Sequence, residues 1–471
     1  MSRKKKSPTI VPNVTISKIG SEGNAIGYLP NEQVVFVPFA APGDVVDVLL
    51  TKRRKSYAQG RIQRIVTPSS LRTTPLCNHF GTCGGCKWQH IPYPLQLEAK
   101  QQQVYDQLER IAKIEIFDAK PIIGSEDIWE YRNKLEFTFS NKRWLSEDEI
   151  REAQEIANRD ALGFHIPGMF DKIIDINTCY LQDSRSNDIR LFIKEWCITH
   201  DGYDFFDLRQ QTGFMRSLMI RNTSIDEWMV VVVFAYEDSD KTTALLGAIK
   251  QKFPFITSLM YVINTKCNDS FSDLPVHLYS GKDFIMEEMD GLYFKIGPKS
   301  FYQTNSKQAY KLYSVVRELA GMSGNELVYD LYTGTGTIAS FIAKNAKRVV
   351  GIEYVEDAIT DAQYNAQHNG LENIKYFAGD MKDVLTNDFI QHHGRPDIII
   401  TDPPRAGMHD SVIQVILNAA PQKIVYVSCN PATQARDLLL LTEKYKVMVV
   451  QPVDMFPHTH HVENVVLLQR R

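Results

Sequence analysis

The sequence predicts an α/β protein in three parts: an OB-like β-barrel over residues 1–68, a central mixed α/β domain over 69–275, and a Rossmann-like, doubly wound domain over 276–471. Three observations predict it. Short β runs punctuated by turn residues fill the first part. A tight group of cysteines followed by further strand-like runs marks the second. From Tyr310 onward apolar runs alternate with helical stretches, the pattern of a parallel sheet. A chain of 471 residues is also too long for one hydrophobic core.

The barrel strands are legible one by one. Val14–Ser17 leads through Gly20-Ser-Glu-Gly23 to Ala25–Leu29, and Val34–Val37 precedes the turn Ala41-Pro-Gly-Asp44. Val45–Leu50 and Arg61–Val66 complete five strands, enough for a small closed barrel of the kind that binds nucleic acid. Lys52-Arg-Arg-Lys55, followed by Tyr57, offers phosphate contact and a stacking ring; the bland alternative is a solvated loop. Arg3-Lys-Lys-Lys6 is a second basic cluster in a chain whose net charge is only −3. No apolar run reaches membrane-spanning length and the N-terminus lacks an apolar signal core, so a cytoplasmic protein with no membrane partner is expected. Monomer is the default state.

Pro68–Pro75 is a linker, and Cys77-Asn-His-Phe-Gly-Thr-Cys83-Gly-Gly-Cys86 follows it, with Cys179 far downstream. In a reducing compartment such spacing signals a metal rather than disulfides. Structural zinc usually pairs two short knuckles, whereas three clustered thiolates plus a distant one favour a [4Fe-4S] cluster. Cys197 and Cys267 lack such company and read as structural. Leu95–Ile114 reads as a helix, and runs such as Leu135–Phe139 and Met229–Phe234 as strands of the central domain. Tyr131-Arg-Asn-Lys134 and Arg216–Arg221 place cations beside those strands, for RNA phosphates or for simple solvation.

The C-terminal strands are Leu327–Leu331, Arg348–Ile352, Ile374–Phe377, Asp397–Ile400 and Ile424–Val427, with Lys446–Val450 and Val465–Leu468 as a further pair. Asp330-Leu-Tyr-Thr-Gly334-Thr-Gly336-Thr337 is a strand that ends in a glycine turn and opens a helix, so backbone can approach a nucleotide closely. Glu353 ends the next strand, where a carboxylate can accept both hydroxyls of a ribose. The third glycine of the dinucleotide fingerprint is absent, which favours S-adenosylmethionine over a pyrophosphate cofactor. Asp402-Pro-Pro-Arg405 follows another strand; an aromatic in place of Arg405 would point to methylation of an exocyclic amine, so a different acceptor is expected.

Ile424–Val427 breaks into Ser428-Cys429-Asn430-Pro431, which presents a thiol at the carboxyl end of a strand. As a thiolate Cys429 can attack an electrophile; alone it is as readily a small core residue. Met455-Phe-Pro-His-Thr-His-His-Val-Glu463 ends in a carboxylate able to act as general base if folding brings it to Cys429. Its histidines have no helical spacing that would gather them on a metal.

Asp-Pro-Pro-Arg, Ser-Cys-Asn-Pro-Ala-Thr and Phe-Pro-His-Thr-x-His-x-Glu, in that order, resemble the RNA uracil-C5 methyltransferase family, and the resemblance extends from the first strand to the last. It implies that the barrel is a TRAM domain, that Cys429 is the nucleophile and Glu463 the base, and that Cys77, Cys83, Cys86 and Cys179 hold the cluster. It further implies that Gln303, in Ser300-Phe-Tyr-Gln-Thr-Asn305, contacts the cofactor, together with Tyr332, Gly334, Gly336, Thr337, Glu353, Asp380 and Asp402. The cysteine pattern resembles the branch acting on 23S ribosomal RNA; on this reading the tRNA branch lacks both that pattern and the barrel. Two rivals remain: a nicotinamide-dependent oxidoreductase, which leaves Cys429 and Glu463 unexplained, and a non-catalytic RNA-binding factor.

Overall fold

The computed structural model describes residues 9–152 and 159–471, so the Arg3–Lys6 cluster lies outside the described residues. Strands Ile10–Ile19, Asn24–Tyr28, Val34–Pro38, Tyr57–Thr67 and Val45–Arg53 close, in that spatial order, into a barrel. Alternation of side chains along each strand buries Val14, Ile16, Val35, Val37, Val46 and Val48 inside it. Asp44, fully buried, accepts hydrogen bonds from the backbone of Ala41 and Ser69 and from both ends of the Arg72 guanidinium. Burial pushes its carboxyl up, but Arg72 and the two N–H donors outweigh that and hold it below the usual range. The barrel is thereby riveted to the linker that follows.

The central sheet has seven strands in the order His277–Gly281, Ser258–Ile263, Trp228–Phe234, Met215–Asn222, Lys134–Ser140, Ala161–Ile166 and Met169–Asp175. All neighbours are antiparallel except Trp228–Phe234 and Ser258–Ile263, which the helix Ser239–Lys252 joins by a crossover. Trp228–Phe234 is buried on both faces. One face packs on that helix and on Arg185–Thr199; the other merges with the core of the C-terminal part through Met219, Met229 and Val231.

Arg216 and Arg221 are not available to RNA. Both are buried, and they donate to the carbonyls of Asn264 and Lys266 and of Gly297 and Ser300, respectively. A guanidinium carries five donors, so one side chain can tie together a loop whose carbonyls lack strand partners. Cys197 is a core residue, as its lone position predicted, whereas Cys267 is exposed.

The third sheet has eight strands: Ile374–Ala378, Arg348–Glu353, Leu327–Leu331, Ile398–Thr401, Lys423–Ser428, Glu463–Arg470, Tyr445–Val453 and Asp118–Ala119. The first five are parallel, and all but the edge strand Ile374–Ala378 are buried along nearly their whole length. Chain order departs in both directions from Leu327–Leu331, so a crevice opens at the carboxyl ends beside it. Helix Tyr93–Gln107, which precedes the central sheet in sequence, packs on this third sheet through Val104, and Asp118–Ala119 pairs along its edge. Among the described residues no helix is long and apolar enough to cross a membrane.

Candidate active site

The strand Leu327–Leu331 stops where Tyr332, Gly334 and Gly336 take positive φ of 64°, 56° and 75°, and the helix Thr337–Ala343 begins directly after. The two glycines are needed for different reasons. A Cβ on Gly336 would lie 2.4 Å from Tyr376 Oη, so the turn must be bare there to pack. A Cβ on Gly334 would meet nothing within 4 Å, so its backbone borders open space. Glu353 braces this turn: one carboxylate oxygen accepts from Gly334 N at 3.0 Å, the other from Tyr354 N and Val355 N at 2.8 and 3.0 Å. Asp380 caps the short helix after the strand Ile374–Ala378 and pairs with Lys382 at 3.0 Å. Thr337 is buried, its hydroxyl 3.3 Å from that of Thr335.

Across the crevice, Asp402 follows the strand Ile398–Thr401 and its N–H donates to Leu331 O. Burial and the neighbouring charge of Asp330 push its carboxyl up to about 7. Asn430 Nδ2 and Thr433 Oγ1 donate to the Arg405 carbonyl at 3.0 and 3.1 Å, tying the Asp-Pro-Pro-Arg turn to the next strand end. Asn430 also caps helix Pro431–Leu441 by accepting from Ala432 N, with Pro431 in the first turn. Cys429 therefore stands at a helix N-terminus, where the backbone dipole favours a thiolate.

Glu463 opens the strand Glu463–Arg470, antiparallel to Lys423–Ser428 with Ser428 opposite Asn464. Cys429 follows Ser428 directly, and the charge of Glu463 acts on its thiol. Burial and the charge of Asp402 push the Glu463 carboxyl up to about 8, against the lowering effect of Arg405. Burial, then Glu463 and Asp402, push the Cys429 thiol up to about 12, again opposed by Arg405. Half-buried Gln303 lies beside Tyr313, whose hydroxyl feels the charges of Asp402, Asp330 and Glu463. Neither Tyr313 nor the guanidinium of Arg405, 3.4 Å from His461 Nδ1, was legible as part of the site. Tyr313 sits mid-helix in an ordinary amphipathic pattern, so nothing local distinguishes it from core.

The four clustered cysteines do come together. Cys77, Cys83, Cys86 and Cys179 line one cavity of about 330 Å³ with Phe80, Leu135 and Leu181. Burial pushes Cys83 and Cys86 up to about 11 and 12, and each raises the others by its charge. Four such thiols ionise together only around a positive centre. Yet among the described residues no group of three or more Cys, His, Asp or Glu side chains is placed to hold a single metal ion. The cluster expected from the cysteine spacing is thus not shown as a coordination site.

Residues 278–471 match the family model described as tRNA (uracil-5-)-methyltransferase, and residues 11–62 match the TRAM domain model. A protein of Porphyromonas gingivalis named as an uncharacterized RNA methyltransferase is 60% identical over 97% of this chain and 99% of its own length. A likewise named protein of Chlorobaculum tepidum is 37% identical over 91% of this chain and 90% of its own. Among solved structures, the Pyrococcus abyssi tRNA (uracil-54, C5)-methyltransferase in complex with S-adenosyl-L-homocysteine superposes with a TM-score of 0.73 at 28% identity, covering 97% of this chain and 99% of that one.

Proposed function

Because the chain belongs to the RNA methyltransferase family described by the tRNA (uracil-5-)-methyltransferase model, we propose that it methylates C5 of a uridine in RNA, with 23S ribosomal RNA as the substrate. The observation that supports the chemistry is the proximity of Cys429 and Glu463 at adjoining ends of the strands Lys423–Ser428 and Glu463–Arg470. Uracil C5 is a poor nucleophile until a thiolate adds to C6 and turns the ring into an enolate. Cys429 supplies that thiolate; burial, Glu463 and Asp402 push its thiol up to about 12, and Arg405 and the helix N-terminus are the groups that oppose them. S-adenosylmethionine, when bound against the Gly334 turn and Glu353, supplies the electrophilic methyl group. Glu463 then removes the C5 proton; the freed electron pair restores the C5–C6 double bond and expels the Cys429 thiolate. Asp402 or Gln303 holds the ring or the cofactor in line, where orientation contributes several kcal/mol. The base reaches this crevice only out of its stack, so the target is flipped or lies in an unpaired loop.

Cys77, Cys83, Cys86 and Cys179 are read as ligands of a [4Fe-4S] cluster; the cavity that the four thiols share supports this reading. The cluster has no redox step in the scheme, and its role is to fold the region between barrel and central sheet. A second substrate reading, transfer RNA, is favoured by the near-complete overlap with the Pyrococcus abyssi tRNA enzyme. Nucleotide-resolved mass spectrometry of 5-methyluridine decides between them, comparing cells lacking the gene with cells carrying it intact or as Cys429→Ala. Loss at 23S positions, restored only by the intact gene, supports the first reading and loss in tRNA the second. No change in any RNA, in cells without a redundant enzyme, overturns both.

A further inference from the structure

Helix Tyr93–Gln107 presents an unusual stripe. Tyr93, Gln96 and Lys100 follow helical spacing on one face, yet they are polar, with Gln96 and Lys100 fully buried. All three reach residues more than 350 positions away. Tyr93 Oη donates to Asp454 Oδ2 at 2.8 Å, and Lys100 Nζ to Asp454 Oδ1 at 2.6 Å and Phe456 O at 3.0 Å. Gln96 Oε1 accepts from His458 N at 2.8 Å, while its Nε2 lies 3.2 Å from His458 Nδ1 and donates to the carbonyls of Trp88 and Ile91 at 3.0 Å.

His458 is held in the left-handed region, at φ 64°, which a non-glycine residue rarely adopts. Its carbonyl accepts from Lys87 N and Trp88 N at 2.8 and 3.1 Å, next to Cys86, and its ring stacks on Trp129 at 4.0 Å. Residues Asp454–Val462 form a loop whose two ends are the paired residues Val453 and Glu463. A buried ion pair and amide rarely add stability over apolar side chains of the same volume, so their use here calls for another reason.

We propose that Tyr93, Gln96 and Lys100 are positioning residues that clamp the loop Asp454–Val462 and so hold Glu463 in register for proton removal from the Cys429-linked, methylated ring. The proposal rests on the reading of Glu463 as the base. In that state the Cys429 Sγ–C6 bond is formed and the methyl group is on C5; only loss of the C5 proton lets the thiolate leave.

The test uses the full-length enzyme, labelled S-adenosylmethionine and RNA from cells lacking the gene, with denaturing gels to count protein-linked RNA. Gln96→Leu is expected to slow release of 5-methyluridine by about 10- to 100-fold, the effect of misplacing a reacting group by about 1 Å. Protein–RNA adduct is expected to accumulate while affinity for S-adenosylmethionine stays within about twofold, since Gln96 touches no residue of the cofactor crevice. Gln96→Glu, which in its neutral form keeps the acceptor for His458 N–H, is expected to restore most of the rate. Tyr93→Phe, a milder change, gives the same readout should Gln96→Leu fail to fold. Wild-type release, or slow release without adduct, in folded variants would overturn the proposal. Glu463→Gln that traps no adduct sinks instead the underlying assignment of the base.

Discussion

Cys429 directly follows the strand Lys423–Ser428, and Glu463 opens the antiparallel strand beside it, near enough for the Glu463 charge to raise the Cys429 thiol. Thirty-three residues of intervening sequence, including a helix and a long strand, do not keep them apart. The strand Tyr445–Val453 on the outer side of Glu463–Arg470 fixes the same register a second time, through Val453 and Glu463. The predictions below follow from that pairing and its surroundings.

Cys429→Ala is expected to abolish methyl transfer to the level of the uncatalysed reaction while leaving thermal stability nearly unchanged, because the thiol is half-buried and makes no side-chain hydrogen bond that folding needs. Activity assays with labelled cofactor, run beside melting curves, check both halves.

Glu463 ties stability to pH in a direction with a definite sign. Its folded carboxyl is raised to about 8 from the ordinary value of 4.5. Between those pH values the folded state therefore binds more protons than the unfolded one, and this group withdraws stability as pH rises. Below 4.5 both states are protonated and the effect vanishes; above 8 it is complete. Glu463→Gln is then expected to melt close to wild type at pH 5 and above it at pH 8, by an amount on the order of 2–4 kcal/mol. Equal differences at the two pH values would refute the assignment of burial and Asp402 as its cause.

The two glycines of the cofactor turn are expected to fail differently. Gly336→Ala drives a methyl group into Tyr376 and Ala362, so it lowers the melting temperature as well as activity. Gly334→Ala has open space and mainly pays the left-handed backbone cost of about 1 kcal/mol. It is expected to fold but to bind S-adenosylmethionine more weakly, because the added methyl enters the crevice. Calorimetric titration separates the two.

Cys83→Ala or Cys179→Ala is expected to remove iron and acid-labile sulfide from the anaerobically purified protein. RNA affinity should fall with them, because the cysteine segment packs between barrel and central sheet. Full iron content in either variant contradicts the ligand assignment.

Breaking the Lys100–Asp454 pair on one side leaves a buried charge without a partner. Lys100→Met is expected to destabilise the protein by roughly 3–5 kcal/mol, read from denaturant midpoints. Lys100→Met combined with Asp454→Asn should recover part of that loss.

What the sequence determined is whatever follows from neighbours in the chain. Short β runs punctuated by turn residues gave away the barrel strands, and unbroken apolar runs such as Ile424–Val427 gave away the parallel ones. The glycine turn, the Asp-Pro-Pro-Arg turn and Cys429 could be placed at strand ends because strand ends are local events. The cysteine spacing marked a centre, though not its geometry. Only tertiary structure decided the rest. Arg216 and Arg221 look like exposed cations until the loops that use their donors are folded over them. Leu95–Ile114 reads as a helix rich in Gln, Glu and Lys; the helix observed is Tyr93–Gln107, and its buried polar stripe has meaning only once the far end of the chain arrives. The reason is physical: hydrophobic periodicity reports which face is buried, but not against what. Hydrogen-bond and charge partners hundreds of residues apart are chosen by sheet order and register, which no local pattern encodes.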